Sequence, residues 1–457
     1  MAPNSEPTAV DLVIRHAFVL TVNAGDDAIA DGAVAIDGGR IVAVGPTTTI
    51  DESWKGHASI DARGGIVRPG SIDAHIHVSQ YTARSVLPRM GSGPVNMGHW
   101  KAELRPEDEH ASASLAAIDC LRCGFTGFVD PGTIFEPDAV AAVADQTGIR
   151  IWLTDPYVAD QGRKLAEKNP ELMAPAFLAR WPATTEEAAR RVGSQLWRNA
   201  HENGLVRAFI GIYGELTESD ALRAHAVEVA RRSMVHFQQH LGYTPAAYRD
   251  QTSRLGRTPL AEFDRLHGLS DDITFVHMND VSPEDEAMLL ERRPRLVWCP
   301  YGTLQTIGGG GGRNRMSALS RKGVRVGLAS DIPRAINFDA LASLAVGCGA
   351  ATGSALGPRQ VLRMLTCDAA ASVGAEQTTG SLEPGKSADI VVHRRLDLDV
   401  DQAWETAVLG GRRDIDKVLV AGRTLVDNGQ LTAAEERTIV AAARHSAMEL
   451  LRRSGLS

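Results

Sequence analysis

The sequence predicts an α/β protein, a barrel of eight β/α units joined to a small β-rich domain that the two chain ends build together. Three observations predict this. Short β-branched runs alternate with helical stretches eight times through the middle of the chain. Both ends are β-rich. The length of 457 residues leaves room beyond the about 250 residues of a barrel for a second unit. The candidate strands span 71–78, 126–130, 150–154, 206–213, 233–237, 273–277, 295–299 and 325–330. Helical patterns fall between them, at 106–123, 184–203, 219–232 and 283–292. Alternation of this kind implies a parallel sheet, and eight units can close into a barrel. An open, doubly wound sheet is the alternative, and the count of eight favours closure.

The ends follow a different period. Residues 11–22 alternate, and 32–44 form a hairpin around the turn Asp37-Gly38-Gly39, a strong two-strand signal. Near the other end, 387–392 is a strand and 418–426 a second hairpin. A sheet built from either end alone would be short and marginal. The expected division is 1–66 and 376–457 for the β-domain, the latter with a C-terminal helix, and 67–375 for the barrel.

Composition excludes several classes of function. Hydrophobic residues make up 44% and charged residues 23%, which fits a soluble globular chain. There are 48 Lys+Arg against 56 Asp+Glu, a net charge of −8, and no basic run, so a nucleic-acid partner is not expected. The five cysteines are too few and too odd for a disulfide scaffold. Cys120 and Cys123 close a helical pattern before Gly124, which reads as buried small residues and a C-cap. The expected location is the reducing cytoplasm. Residues 1–10 carry no apolar signal core, and no run reaches the ~18 apolar residues of a membrane span. The run Gly308–Gly312 lacks the Lys-Ser/Thr of a phosphate loop and is expected to be a substrate-covering loop.

The chemistry concentrates at candidate strand ends. Asp73-Ala74-His75-Ile76-His77 places two imidazoles two residues apart, hence on one face of a strand. His236 and His277 close the fifth and sixth candidate strands, and Asp331 follows the eighth. A polar residue after each apolar run is costly to bury unless it is paired. Five together at strand ends, where barrel sites form, point to a divalent metal bound by imidazole and carboxylate.

Two stretches carry a family resemblance. Residues 67–77, Val67-Arg68-Pro69-Gly70-Ser71-Ile72-Asp73-Ala74-His75-Ile76-His77, and 380–390, Gly380-Ser381-Leu382-Glu383-Pro384-Gly385-Lys386-Ser387-Ala388-Asp389-Ile390, resemble signatures of the amidohydrolase superfamily, in its cytosine-deaminase-like and triazine-hydrolase-like branch. The resemblance implies a distorted (β/α)8 TIM barrel with a composite β-sandwich domain. It implies one divalent metal, zinc by preference with iron or cobalt also suited, held by His75, His77, His236 and Asp331. No lysine closes the fourth candidate strand, where two-metal members carry a carboxylated one. The resemblance also implies a homo-oligomer, and the expected substrate is a small neutral organic molecule. Asp331 would serve as general base and acid toward metal-activated water, and His277 would orient the nucleophile or stabilise an oxyanion.

Deaminases of this branch usually carry a Glu three residues after the fifth-strand His. Counted from His236, that position is Gln239, whose amide cannot titrate but can pair with a carbonyl or an N–H. This gives Gln239 a catalytic and substrate-binding role. It suits a neutral amide, urea or carbamate, and N-aryl urea cleavage as in phenylurea and molinate hydrolases. Phe237, Tyr301, Trp100 and Met97 would wall the substrate pocket, with His240 as a further substrate contact and spare proton carrier, and His99 near the same loops. The alternative is a deaminase or dechlorinase of an aminated N-heterocycle. A non-catalytic scaffold barrel would have no need of the intact polar set.

Overall fold

The computed structural model describes residues 6–84, 97–168, 173–214, 216–307, 314–332, 337–395, 399–432 and 434–455. The expected covering loop, Gly308–Gly312, lies outside them. The N-terminal strands are β1 (Thr8–Leu20), β2 (Ala28–Asp37), β3 (Arg40–Pro46), β4 (Trp54–Asp61) and β5 (Gly65–Pro69). The central strands are β6 (Ser71–Asp73), β7 (Phe125–Val129), β8 (Arg150–Leu153), β9 (Val206–Ala208), β10 (Ile210–Gly214), β11 (Phe237–Leu241), β12 (Ile273–His277), β13 (Arg295–Trp298) and β14 (Val326–Leu328). The C-terminal strands are β15 (Ile390–Arg395), β16 (Ile415–Val420), β17 (Arg423–Asp427) and β18 (Gln430–Leu431).

The two chain ends form one hydrogen-bonded sheet in the order β18-β17-β16-β15-β5-β1-β2-β3, with β4 also paired to β1. Antiparallel pairing of β15 with β5 joins them, Ile390 opposite Pro69 and Val392 opposite Val67. β5, across which the expected boundary at residue 66 falls, therefore belongs to this sheet. Ile14 and Val19 of β1, Val34 of β2, Ile390 and Val392 of β15 and Leu419 of β16 share one buried core. A core shared by strands so far apart in the order means that the sheet curls over it. The C-terminal helix Glu436–Arg453 lies on the barrel helix Pro106–Arg122, where Arg122 pairs with Glu436 and Ser446 donates to Asp108 at 2.6 Å.

The central strands are parallel and form two arcs, β6-β7-β8-β9 and β10-β11-β12-β13-β14. β9 and β10 flank Phe209 and together occupy the fourth expected strand, so nine segments make eight barrel staves. At that seam the Phe209 amide donates to Leu153 and the Gly211 amide to Thr154 Oγ1. The other seam closes through Ala74 N to Leu328 O at 3.1 Å and a parallel bridge between Ile76 and Asp331. The helices that return the chain are capped as their sequences dictate. Ser219 accepts from Leu222 N, and Ser282 and Asp285 form a reciprocal box around Pro283–Arg292. Gly124, after the Cys120/Cys123 helix, sits at φ 76°, where a left-handed C-cap favours glycine, and both thiols are free.

One stave differs from expectation. Residues 233–237 read as the fifth strand, but the helix Asp220–Arg232 ends on Ser233. Met234 then turns at φ 52° with 92% of its surface exposed. The strand starts at Phe237 instead. Its interior face is polar, Gln238 and His240, and its outer face sets Gln239 between Phe237 and Leu241, so the apolar Met-Val pair just before it gave a false signal. No described helix is long and apolar enough to cross a membrane.

Candidate metal centre

The four-residue displacement of β11 reassigns its two histidines. Alternate residues point to opposite faces. Phe237 and Leu241 face the helical layer, where Phe237 packs against Phe263. Gln238 and His240 face the barrel interior, and Gln238 Oε1 lies 3.3 Å from His75 Nδ1. His240 closes the strand at its C-terminal end, beside His75. His236 precedes the strand at the opposite end of the barrel. It is half-buried against Gly374, where a Cβ would come within 2.5 Å of its ring.

The structure thus brings together His75, His77, His240, His277 and Asp331, and sets His236 apart. His75 and His77 lie just past β6 in a segment stitched to its neighbours. Ile76 N donates to Val129 O, His77 N to Asp331 O, and Asp331 N to His75 O. His75 Nε2 is 3.0 Å from His240 Nε2. His77 Nε2 is 3.1 Å from Asp331 Oδ1, and His75 Nε2 is 4.0 Å from the same oxygen. Two triads, His75/His77/His240 and His75/His277/Asp331, each gather their donor atoms within 4.8 Å.

Second partners fix how the rings are presented. His240 Nδ1 donates to the Tyr213 carbonyl at 2.6 Å, His75 Nδ1 donates to Gln238 Oε1, and His77 Nδ1 shares a 2.6 Å hydrogen bond with Thr133 Oγ1. With Nδ1 carrying the proton, His75 and His240 turn their Nε2 lone pairs toward each other at 3.0 Å. Two lone pairs at that distance repel unless a cation lies between them. Two nitrogens around one tetrahedral zinc are about 3.3 Å apart, so the donor set fits and supports a single divalent ion. Burial pushes the His75 and His277 imidazoles well below the ordinary histidine range and His240 below it, which keeps the neutral, ligating form.

The support extends one layer further. Asp73 Oδ1 accepts from the amides of His75 and Ser330 at 3.2 and 3.0 Å, tying the first stave to the last beside the cluster. Burial raises its carboxyl to about 7. His277 and Asp331 both hold left-handed backbone, φ 86° and 61°, at about 1–3 kcal/mol each. Strained non-glycine residues of this kind gather where function fixes the geometry.

The remaining expected residues divide. Gln239 shares the outward parity of Phe237 and Leu241, with Oε1 buried and unpartnered among the described residues, so it does not face the cluster. Phe237 is a core residue for the same reason. Trp100 is buried with Ala83, Leu104 and Leu450, and Met97 packs on that group; both are packing residues. His99 faces solvent. Tyr301 is half-buried in the helix Pro300–Ile307. The neighbouring Gly302 stands over His277 and Tyr243, a Cβ there lying 4.0 Å from His277 Nδ1 and 3.6 Å from the Tyr243 ring. Sequence reasoning missed Gln238, Thr133, Tyr213 and Tyr243. Gln238 was accessible, being two residues before His240 on the same strand face. The others depend on which loops meet.

The comparisons with known proteins agree with this architecture. Residues 66–425 match the model of the Amidohydrolase family, and 32–52 match an imidazolonepropionase-like composite domain of bacteria. A 5-methylthioadenosine/S-adenosylhomocysteine deaminase of Pelotomaculum thermopropionicum is 24% identical over 97% of this chain and 99% of its own. One of Symbiobacterium thermophilum is 29% identical over 96% and 99%. Among solved structures, an adenosine deaminase from Xanthomonas campestris with bound zinc superposes with a TM-score of 0.82, at 23% identity over 98% and 100% of the two chains. Atrazine chlorohydrolase from Arthrobacter aurescens TC1, complexed with zinc, gives 0.77 at 21% identity over 95% and 100%.

Proposed function

Since the chain belongs to the amidohydrolase family, and is thus a metal-dependent hydrolase acting on C–N bonds, we propose that it displaces an amino or comparable leaving group from an aminated N-heterocycle. The observation that carries this reading is the meeting of His75, His77, His240 and Asp331 at the barrel mouth. The deaminase names of the relatives support the heterocycle. The reading toward a neutral amide, urea or carbamate loses its basis, because Gln239 points away from the cluster.

His75, His77, His240 and Asp331 would hold the ion, which when bound supplies Lewis-acid activation of water. The chain's own groups then manage the proton and the geometry. Asp331 Oδ1, beside His77, accepts a proton from the attacking water and returns it to the leaving amine. His277, neutral and with Nδ1 unpartnered among the described residues, offers a donor or acceptor to the substrate. Its ring is 5.2 Å from His240 and 4.8 Å from Tyr243.

Counted from His240, the position three residues on is Tyr243, so the carboxyl usual in deaminases of this branch is replaced by a phenol. The hydroxyl of Tyr243 donates to Gln305 Oε1 at 3.4 Å. A phenol hydrogen-bonds a ring nitrogen but keeps its proton near neutral pH. This favours an electron-poor ring, in which addition at carbon needs no full protonation of the neighbouring nitrogen. The test is product analysis of zinc-loaded protein on aminopurine nucleosides, amino- and chloro-triazines and an N-aryl urea. Ammonia or chloride release with the ring intact is expected, triazines ahead of purines. An amine plus carbonate from the urea, with inert heterocycles, would overturn the reading.

A further inference from the structure

The opposite end of the barrel holds a cavity remote from the metal cluster. It has a volume of about 180 Å³ and lies between the starts of β8 and β9, the residue before β11, and the turn between β2 and β3. One water-sized position takes about 10–15 Å³ on this measure, so the space exceeds an inorganic ion. Arg40, Arg150 and Arg207 line it, with Glu202 as the one lining carboxylate. This is an excess of positive charge in a chain whose net charge is −8.

The three guanidinium groups are not equally engaged. Arg150 is paired with Asp389 at 2.6 Å and also donates to Ser387. Arg40 reaches Glu202 at 2.9 Å and Asn203 Oδ1 at 2.7 Å. Arg207 donates only to the backbone carbonyls of His201 and Glu202, with no carboxylate partner among the described residues. His236, which the metal cluster leaves aside, lines the same space. Its Nδ1 is buried without a hydrogen-bond partner among the described residues, which leaves Nε2 as the ring nitrogen that an occupant would meet. A guanidinium that no carboxylate neutralises, beside the His236 ring, suits an anionic acceptor. Trp152 and Val373 supply an apolar wall beside them.

We propose that this cleft binds a small organic anion, its phosphate or carboxylate group held by Arg207 and His236 and its carbon skeleton lying on Trp152. Arg40 comes from the terminal sheet and Arg150 and Arg207 from the barrel, so the cleft lies where the two meet. The site is independent of the chemistry at the barrel mouth.

The test is thermal unfolding of the full-length, zinc-loaded protein titrated with ribose 5-phosphate, inorganic phosphate or chloride at equal ionic strength. A ligand bound only by the folded state raises the midpoint in proportion to ln(1 + [L]/Kd). The expected result is a saturable rise with ribose 5-phosphate, a weaker affinity for inorganic phosphate, and no rise with chloride. Arg207→Ala and His236→Ala are expected to weaken ribose 5-phosphate about tenfold or more, the loss of one charge-assisted contact, while hydrolysis at the mouth is unchanged. Arg207→Lys, which keeps the charge, is expected to bind at an intermediate affinity. No saturable rise in the wild type, an equal rise with chloride, or full binding in a well-folded Arg207→Ala/His236→Ala double variant would overturn the proposal. Equal affinity for inorganic phosphate would overturn its organic part.

Discussion

His236 precedes one short strand and His240 lies near that strand's C-terminal end, and the surroundings of the two differ. His240 sits at the C-terminal end, buried, its Nδ1 anchored on a carbonyl and its Nε2 3.0 Å from another imidazole. His236 sits at the N-terminal end, half-buried, packed on a glycine and facing a cleft of arginines. The first end gathers strained backbone and buried neutral rings, while the second offers charge and space. The barrel makes this difference. Loops after the strands converge at one mouth, whereas the other end meets the terminal sheet. A histidine's role here follows from which end of a stave it occupies.

The comparison can be broken by exchanging the losses. His240→Ala is expected to reduce turnover by more than the about 10²–10⁴-fold of a single acid–base group, since ligation fails. His236→Ala is expected to leave turnover intact. Equal losses in steady-state assays would erase the distinction between the ends. Asp331→Asn is likewise expected to cost more than about 10²–10⁴-fold, as a ligand and the proton acceptor are lost together. A pH–rate profile and turnover number matching the wild type would remove Asp331 from the mechanism.

A smaller effect sharpens the parity of β11. Gln238→Ala removes the acceptor that orients His75 and should weaken zinc affinity by about 10–100-fold. Gln239→Ala, one residue on and on the other face, should leave it unchanged. Competition with a chromophoric chelator reads both, and a reversed order would show the strand register to be wrong. The smallest expected effect is that of Tyr243→Phe. Losing one hydrogen bond of about 0.5–1.5 kcal/mol should lower kcat/KM by about tenfold or less. A far larger fall would make the phenol a proton donor in the reaction.

Much of the fold was legible because it rests on local rules. Pro283–Arg292 begins on a Ser-x-x-Asp box and matches its expected span, and the β-rich ends pair as their alternation suggests. His75, His77, His277 and Asp331 were legible because each follows an apolar run that ends where a barrel opens. The fifth stave was not. Its interior face is polar, Gln238 and His240, because it faces the cluster, so hydrophobic period alone moved the strand back onto Met234 and Val235. That shift carried His236 into the ligand set and Gln239 into the substrate site. Thr133 and Tyr213 were invisible for another reason. They act through a hydroxyl and a backbone carbonyl whose position only the closed barrel fixes.

The central claim is that His240, and not His236, completes the metal site. Zinc content after identical loading and desalting tests it directly, measured by elemental analysis on wild type, His236→Ala and His240→Ala. The account predicts one zinc per chain in the first two and almost none in the third. Full zinc in His240→Ala together with loss in His236→Ala would contradict it.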